Sequence, residues 1–379
     1  MLITDTKIPK TPATRATDKH TVASYFARTH LDNALYAGGN EQDILAQAGL
    51  TRELLKQPRA RILPRQLAAL VRISWQLSGD ELLGLTQQKV KLGVFALLAE
   101  RLIRCKTLEE VLKQMADFYN LIGDQLRCDI QQQGSQVHFI VNANFKEHSH
   151  NPTPHSLLTE LLLLVCHRFP SWLVGQVIPL TQVQVQHAKP AHVEEYRLMF
   201  PCPCVFSCDN TALVFDAAHL MLPVIQNPNE LEQYLSEMPF QWFKKQSYLD
   251  TLSAQVMRML EEAPKEKDTK IDSIAARLNM TSRTLRRKLT AEGSRFQQIK
   301  DNIRRDQAIN LIEDSRLTLA QIASQLGFTE PATFTRAFKQ WTGVPPSIYR
   351  NHSTTQLQPP PPLTKPAQGN AVKAGIHPD

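Results

Sequence analysis

A chain of 379 residues that is 42% hydrophobic and 21% charged has the length for two cores and the composition of a soluble globular protein. Its net charge of +7 is unevenly spread: Lys265 to Arg350 hold 16 Lys and Arg against 9 Asp and Glu, so the rest of the chain is balanced. A basic segment beside a neutral one is the expected footprint of nucleic-acid binding.

Residues 1–20 contain no apolar block, read as a flexible tail, and predict no secretory signal. With six cysteines in so long a chain, this points to reduced thiols and a cytoplasmic protein. From His20 to about Ile122 the apolar spacing is helical. In Thr107 to Leu121 a cap at Thr107 and a partner at Glu110 predict a capping box. Leu108, Val111, Leu112, Met115, Phe118 and Tyr119 then form one apolar stripe. Strand-like alternation follows at Gln136–Val141, Gln182–Gln186 and Cys204–Phe206, with turn formers at Gly134, Asn144 and Asn210. A helix is expected over His155–Arg168. Its apolar run, Leu157 to Cys166, is too short to span a bilayer, and no membrane partner is expected.

Cys202, Cys204 and Cys208, with His187 and His192 upstream, could form a ligand set or a thiol sensor. The C-x-C-x3-C spacing is not a common zinc pattern, and small packing residues are the plainer reading. His148, His150 and His155 read as a polar loop rather than a catalytic group. No metal or cofactor is expected.

The charge-dense stretch Glu261–Lys270 reads as a linker, placing one domain at 21–260, for which the resemblance described below implies effector binding and dimerisation, and a second at 271–350. That second domain carries one pattern twice, at Ile274-Ala275…Leu278-Asn279 and, 48 residues on, at Ile322-Ala323…Leu326-Gly327. Each copy precedes a helix with paired apolar residues, Leu285 and Leu289, then Phe334 and Phe338. Two apolar helices joined by a short turn make a helix-turn-helix, and the chain has two.

In the first unit Ile271, Ile274, Ala275 and Leu278 face inward, and Asn279 supplies a left-handed turn. Thr281 or Ser282 caps a helix whose outward residues are Arg283, Thr284, Arg286 and Arg287, expected to read bases, and Lys288, expected to hold phosphate. Arginine on guanine and Lys or Arg on phosphate is the chemistry of a major-groove helix. Phe296 to Asp314 predicts one connecting helix with Ile299, Ile303, Ala308 and Leu311 or Ile312 inward. Its length, about 27 Å, would separate the two units by near one duplex turn, about 34 Å. In the second unit Leu319, Ile322, Ala323 and Leu326 support, Gly327 turns and Thr329 caps. Phe328, Phe334, Phe338 and Trp341 face inward, leaving Ala332, Thr333, Thr335, Arg336 and Lys339 for the groove. Beyond Arg350 a proline-rich segment, 351–379, reads as a disordered tail.

The run Leu317–Arg350 resembles the C-terminal DNA-binding domain of AraC-type (AraC/XylS) transcriptional regulators. Ile322-Ala323, Leu326-Gly327-Phe328, Phe334, Arg336-Ala337-Phe338, Gly343, Pro346 and Tyr349-Arg350 carry the likeness. That resemblance implies base contacts from Arg283, Arg286 and Arg287, and from the positions held by Pro331, Ala332 and Arg336. Pro331 and Ala332 have no side-chain hydrogen-bonding groups, so the first helix is expected to do most of the reading while Arg336 and Lys339 anchor the second. Leu63-Pro64, Gly79-Asp80, Leu83-Gly84-Leu85, the helix at 107–121 and the segment from His187-Ala188-Lys189-Pro190 through Tyr196 to Phe206 resemble the arabinose-binding-type effector domain of one branch of that family.

The expected fold is thus an α+β effector domain followed by an all-α domain with two helix-turn-helix motifs joined by a linker helix. The expected function is a sequence-specific transcriptional regulator controlled by a small-molecule effector. Its partners would be double-stranded promoter DNA, a second copy in a homodimer and RNA polymerase. An architectural DNA binder without effector is the alternative. An enzyme of the alkyl-transferring repair type is disfavoured, since no cysteine precedes Cys105.

Overall fold

The computed structural model describes residues 20–146, 154–200, 202–245, 251–263, 269–313 and 317–350. The expected N-terminal tail at 1–19, His148, His150, most of the linker and the proline-rich segment lie outside the described residues.

The N-terminal half opens with a short antiparallel pair, β1 (Val22–Ala23) on β2 (Arg61–Ile62), surrounded by helices α1 (Ser24–Tyr36), α2 (Glu41–Ala48), α3 (Arg52–Leu55) and α4 (Pro64–Ser78). Helix α4 starts on Pro64, where the missing N–H costs nothing, and stops at Gly79 with φ 61°. The next residues explain the Gly79-Asp80 and Leu83-Gly84-Leu85 signature. The fully buried Asp80 carboxylate accepts from the amides of Leu82, Gly84 and Val90, each at 2.9 Å, and so shapes the loop that follows. Beside it Glu81 caps α5 (Val94–Leu102) from a distance, accepting from Gly93 N at 2.8 Å and Phe95 N at 2.9 Å. Burial raises the Glu81 carboxyl to about 7, outweighing those amides.

Helix α6 (Leu108–Ile122) forms where the apolar stripe predicts it, with Leu108, Val111, Leu112, Met115 and Tyr119 buried and Phe118 half-buried. Its cap differs in one half. Thr107 accepts from Glu110 N at 3.3 Å, but the Glu110 carboxylate reaches one residue further back, to Lys106 N at 2.8 Å.

A five-stranded sheet follows, in the order β3 (Leu126–Gln133), β4 (Gln136–Ala143), β7 (Ala212–Asp216), β5 (Leu180–Val185), β6 (Cys204–Phe206). All neighbours are antiparallel except β5 and β6. Three of these strands stand at the expected positions; β3 and β7 do not appear in the sequence reading. Strand β3 carries Arg127, Asp129 and three glutamines, so its period-2 signal is confined to Leu126, Cys128 and Ile130. Strand β7 sits mid-sheet with Ala212 to Phe215 all buried, and a short apolar run without alternation has no strand signature.

Helix α7 (Pro154–Leu173) crosses the core and runs past Pro170 beyond the expected end at Arg168. Helices α8 (Val193–Met199), α9 (Pro228–Ser236) and α10 (Phe240–Phe243) complete this half. Among the described residues no helix is long and apolar enough to cross a membrane.

The C-terminal half is helical: α11 (Leu252–Glu261), α12 (Ile271–Arg277), α13 (Ser282–Ala291), α14 (Phe296–Ile312), α15 (Leu319–Gln325), α16 (Pro331–Thr342) and α17 (Pro346–Arg350). It does not form one core. Val256 and Leu260 of α11 pack with Ile274, Ala275, Leu285, Leu289 and Ile299 in a small separate cluster. Helix α11, grouped with the effector domain on sequence, therefore packs with the first helix-turn-helix. The second helix-turn-helix joins the large core of the N-terminal half through Ala308, Ile309, Ile312, Ile322, Phe334 and Phe338. Helix α14 belongs to both, its first half to one cluster and its second half to the other.

Candidate nucleic-acid interface

The first unit turns at Asn279, which holds φ 53° as the sequence predicts, while Met280 N returns to Ala275 O at 3.0 Å. Thr281 is the cap of α13, accepting from Thr284 N at 3.2 Å. Leu285 and Leu289 are fully buried beneath the helix, and Arg283, Arg286, Arg287 and Lys288 stand exposed on its other side. Ten residues make this cationic ridge about 15 Å long. Thr284 is placed differently from its four neighbours: it is half-buried, with its hydroxyl 3.0 Å from that of Thr281. At the far end of the helix the Glu292 carboxylate accepts from Leu252 N at 2.9 Å and Ser253 N at 2.8 Å, which ties the ridge to α11.

In the second unit a capping box opens α15, Thr318 accepting from Gln321 N at 3.2 Å and Gln321 accepting from Thr318 N at 2.7 Å. Gly327 takes φ 77° at the turn. The expected cap at Thr329 is one residue early. Glu330 occupies the cap position without a side-chain bond, because Pro331 begins α16 and holds the residue before it extended. Phe334 and Phe338 are fully buried, and Trp341 packs half-buried with its ring centroid 6.1 Å from that of Phe328. Thr333, Arg336 and Lys339 are exposed, Arg336 reaching Thr333 Oγ1 at 3.4 Å. Thr335 is half-buried, and its hydroxyl is spent on Pro331 O at 3.0 Å. The exposed face of α16 therefore offers two cations where α13 offers four.

The sequence pattern does not reveal how the second unit is held. The Tyr349 hydroxyl accepts from Arg61 N at 3.0 Å and donates to Arg61 O at 2.9 Å, gripping the outer edge of β2. The Arg61 side chain is itself buried, donating to Glu195 at 2.8 Å and to Thr21 Oγ1 at 2.8 Å. Thr21 passes the chain on to Asp306 of α14, donating from Oγ1 at 2.6 Å. Arg65 pairs with Glu313 nearby. Pro346 starts the short helix that delivers Tyr349 to β2. Because the partner is 288 residues away, no local signal marks it.

Both faces, basic and outward on helix-turn-helix scaffolds, lie within one family match, and the N-terminal domain has another. Residues 38–224 match the arabinose-binding domain of AraC transcription regulators, N-terminal, and residues 274–352 match a helix-turn-helix domain. The chain is an AraC-type transcriptional regulator. It is similar to the ornithine utilization regulator of Pseudomonas aeruginosa, 24% identical over 335 residues that cover 86% of this chain and 95% of the relative. An uncharacterized HTH-type transcriptional regulator of Mycobacterium tuberculosis is 43% identical over 76 residues, 20% of this chain and 22% of the relative. Among solved structures, the transcriptional regulator CdpR from Pseudomonas aeruginosa aligns at 20% identity over 86% of this chain and 98% of its own, with a TM-score of 0.30. This AraC-type chain thus joins an effector-type domain to a DNA-binding one.

The metal set considered at Cys202, Cys204 and Cys208 is not assembled. His192 Nε2 is turned to Glu160 Oε1 at 2.5 Å and its ring stacks on Tyr25 at 3.9 Å, while His187 Nε2 lies 3.2 Å from the Tyr196 hydroxyl. Among the described residues no group of three or more His, Cys, Asp and Glu is placed to hold an ion.

Proposed function

We propose that this regulator reads promoter DNA chiefly through α13. In this reading Arg283, Arg286 and Arg287 contact bases, Lys288 contacts phosphate, and Thr284 supports the helix start. Helix α16 anchors through Arg336 and Lys339, assisted by Thr333 and Thr335. The observation that carries the reading is the sidedness of α13, with four exposed cations over two fully buried leucines. Helix α14, at 17 residues and about 25 Å, is a suitable spacer for two helices entering successive major grooves about 34 Å apart. A small molecule bound in the 21–260 domain would bias the two units, and promoter DNA would reciprocally raise its affinity. The same proposal includes a homodimer, contact with RNA polymerase, a cytoplasmic location and no enzymatic activity.

The test is selection of bound sequences from a random DNA pool by the full-length protein, followed by binding titrations. Arg286→Ala and Arg287→Ala should each cost about 1–3 kcal/mol and relax preference at defined bases. Equal weakening on every sequence would refute the assignment of α13 as reader. Operator affinity unchanged across all small-molecule conditions would favour an architectural binder.

A further inference from the structure

Two thiols, Cys202 and Cys204, lie close together at the free edge of the sheet, and the DNA-binding reading makes no use of them. Cys204 begins β6, which pairs on one side with β5 and forms the sheet's outer edge. Cys202 lies two residues earlier, in the bend that leads through Pro203 into the strand. Cys204 Sγ lies 3.6 Å from Cys202 O, which sets the two thiols side by side, each acting on the other's charge. Both are half-exposed, whereas Cys105, Cys128 and Cys166 are buried. Cys208 is directed elsewhere, its Sγ 3.5 Å from Val205 O.

We propose that Cys202 and Cys204 form a peroxide-responsive dithiol that closes to a disulfide within one chain. The hydrogen bond from Cys202 and, behind it, the Arg197 guanidinium hold the Cys204 thiol below its ordinary range, against partial burial; Cys202 is raised. Burial instead raises the thiols of Cys105, Cys128 and Cys166, Cys128 to about 12. The cationic Arg197 acts on Cys204 and not on Cys202, which assigns Cys204 as the attacking sulfur. Its thiolate attacks one oxygen of a hydroperoxide, the O–O bond breaks, and an alcohol leaves with the proton, giving a sulfenic acid at Cys204. The Cys202 thiol attacks that sulfur, an S–S bond forms, and water leaves. Two thiols are oxidised and one hydroperoxide is reduced.

The position of Arg197 connects this chemistry to the first DNA-binding unit. Its Nη1 lies 3.5 Å from Gly293 O, in the turn that ends α13, while its charge favours the Cys204 thiolate. Closing the dithiol removes that anion and reshapes the entry to β6, so the Arg197–Gly293 contact changes with the redox state.

Reduced full-length protein is treated with tert-butyl hydroperoxide, its free thiols are alkylated after unfolding, and the peptides are fragmented. A Cys202–Cys204 disulfide within one chain is expected, with Cys105, Cys128 and Cys166 recovered as free thiols. A bridge to Cys208, a bridge between chains, or no oxidation before the buried thiols react overturns the proposal. That measurement needs no variant. Cys202→Ser should stop at a sulfenic acid on Cys204 that a dimedone-type reagent traps; trapping at Cys202 in Cys204→Ser instead would reverse the roles and refute them. Arg197→Gln should slow the oxidation about two- to fivefold, the scale of one exposed charged contact, and an unchanged rate removes Arg197 from the proposal. Hydrogen exchange at 290–296 should differ between reduced and oxidised wild type; identical exchange overturns the link to α13. None of these readouts involves DNA, so their failure is separate from failure of the DNA-reading assignment.

Discussion

Replacing Tyr349 by Phe removes one oxygen and keeps the ring, which leaves its edge contact on Phe338 at a centroid separation of 5.2 Å intact. The lost oxygen serves both the N–H and the C=O of Arg61, and Tyr349 is only 5% exposed. Each such bond contributes a net of about 1 kcal/mol, and leaving a buried partner unsatisfied costs about 1–3 kcal/mol. Taking the low end for both partners gives about 2–3 kcal/mol. Burial pushes the phenol up to about 12, so the side chain is neutral in any ordinary buffer and the loss does not depend on pH near neutrality. The readout is hydrogen exchange of the α16 amides beneath Phe334 and Phe338, which reports local opening of the second unit. The expected change is exchange faster by about 30- to 150-fold. A loss under about 0.5 kcal/mol would show that water replaces the hydroxyl, and that Tyr349 does not hold the second unit to β2.

Three other changes test separate parts of the structure. At Asn279, where φ is 53°, substitution by Val should destabilise the first unit by about 1–2 kcal/mol in urea unfolding while Gly is tolerated; equal effects would contradict the left-handed turn. Glu81 is raised to about 7 in the folded chain, so its contribution to stability is fully present below about 4.5 and is lost as pH rises through about 7. Glu81→Gln should flatten unfolding free energy across that window, and an unaltered pH profile would refute its buried protonation. Arg336→Ala and Lys339→Ala should each weaken binding evenly across DNA sequences and reduce the salt slope by about one; sequence-dependent losses would make α16 a reader rather than an anchor.

Local signals suffice for the recognition-type helices of the two helix-turn-helix units. Leu285 and Leu289, or Phe334 and Phe338, each fix which side of a helix is buried, and by exclusion which side is exposed. Asn279 and Gly327 were legible because few residues accept their backbone conformation. Thr284 and Thr335 are half-buried rather than fully outward. Spacing alone says outward, but the Thr284 hydroxyl lies against that of Thr281 and the Thr335 hydroxyl donates to Pro331 O. Strand β3 was masked by its polar exposed face and β7 by its complete burial, two opposite departures from alternation. The chain of contacts from Tyr349 through Arg61 to Glu195 depends on residues far apart in sequence, and single-chain patterns carry no information about such pairings.

Helix α14 is shared between two cores, and this makes the two DNA-binding units mechanically unequal. The second is continuous with the effector domain's own interior, so it has little freedom to move without disturbing that domain. The first has its own small interior and meets the rest of the chain through the far end of one rod and polar surface contacts such as Lys245 with Glu261 at 2.7 Å. A seven-residue interior is also the weaker of the two. Heating or denaturant should therefore release the arginine-bearing unit first, as a subglobal opening that leaves its twin and the body folded. Whatever shifts the tilt of that rod sets the angle between a fixed grip and a steerable one.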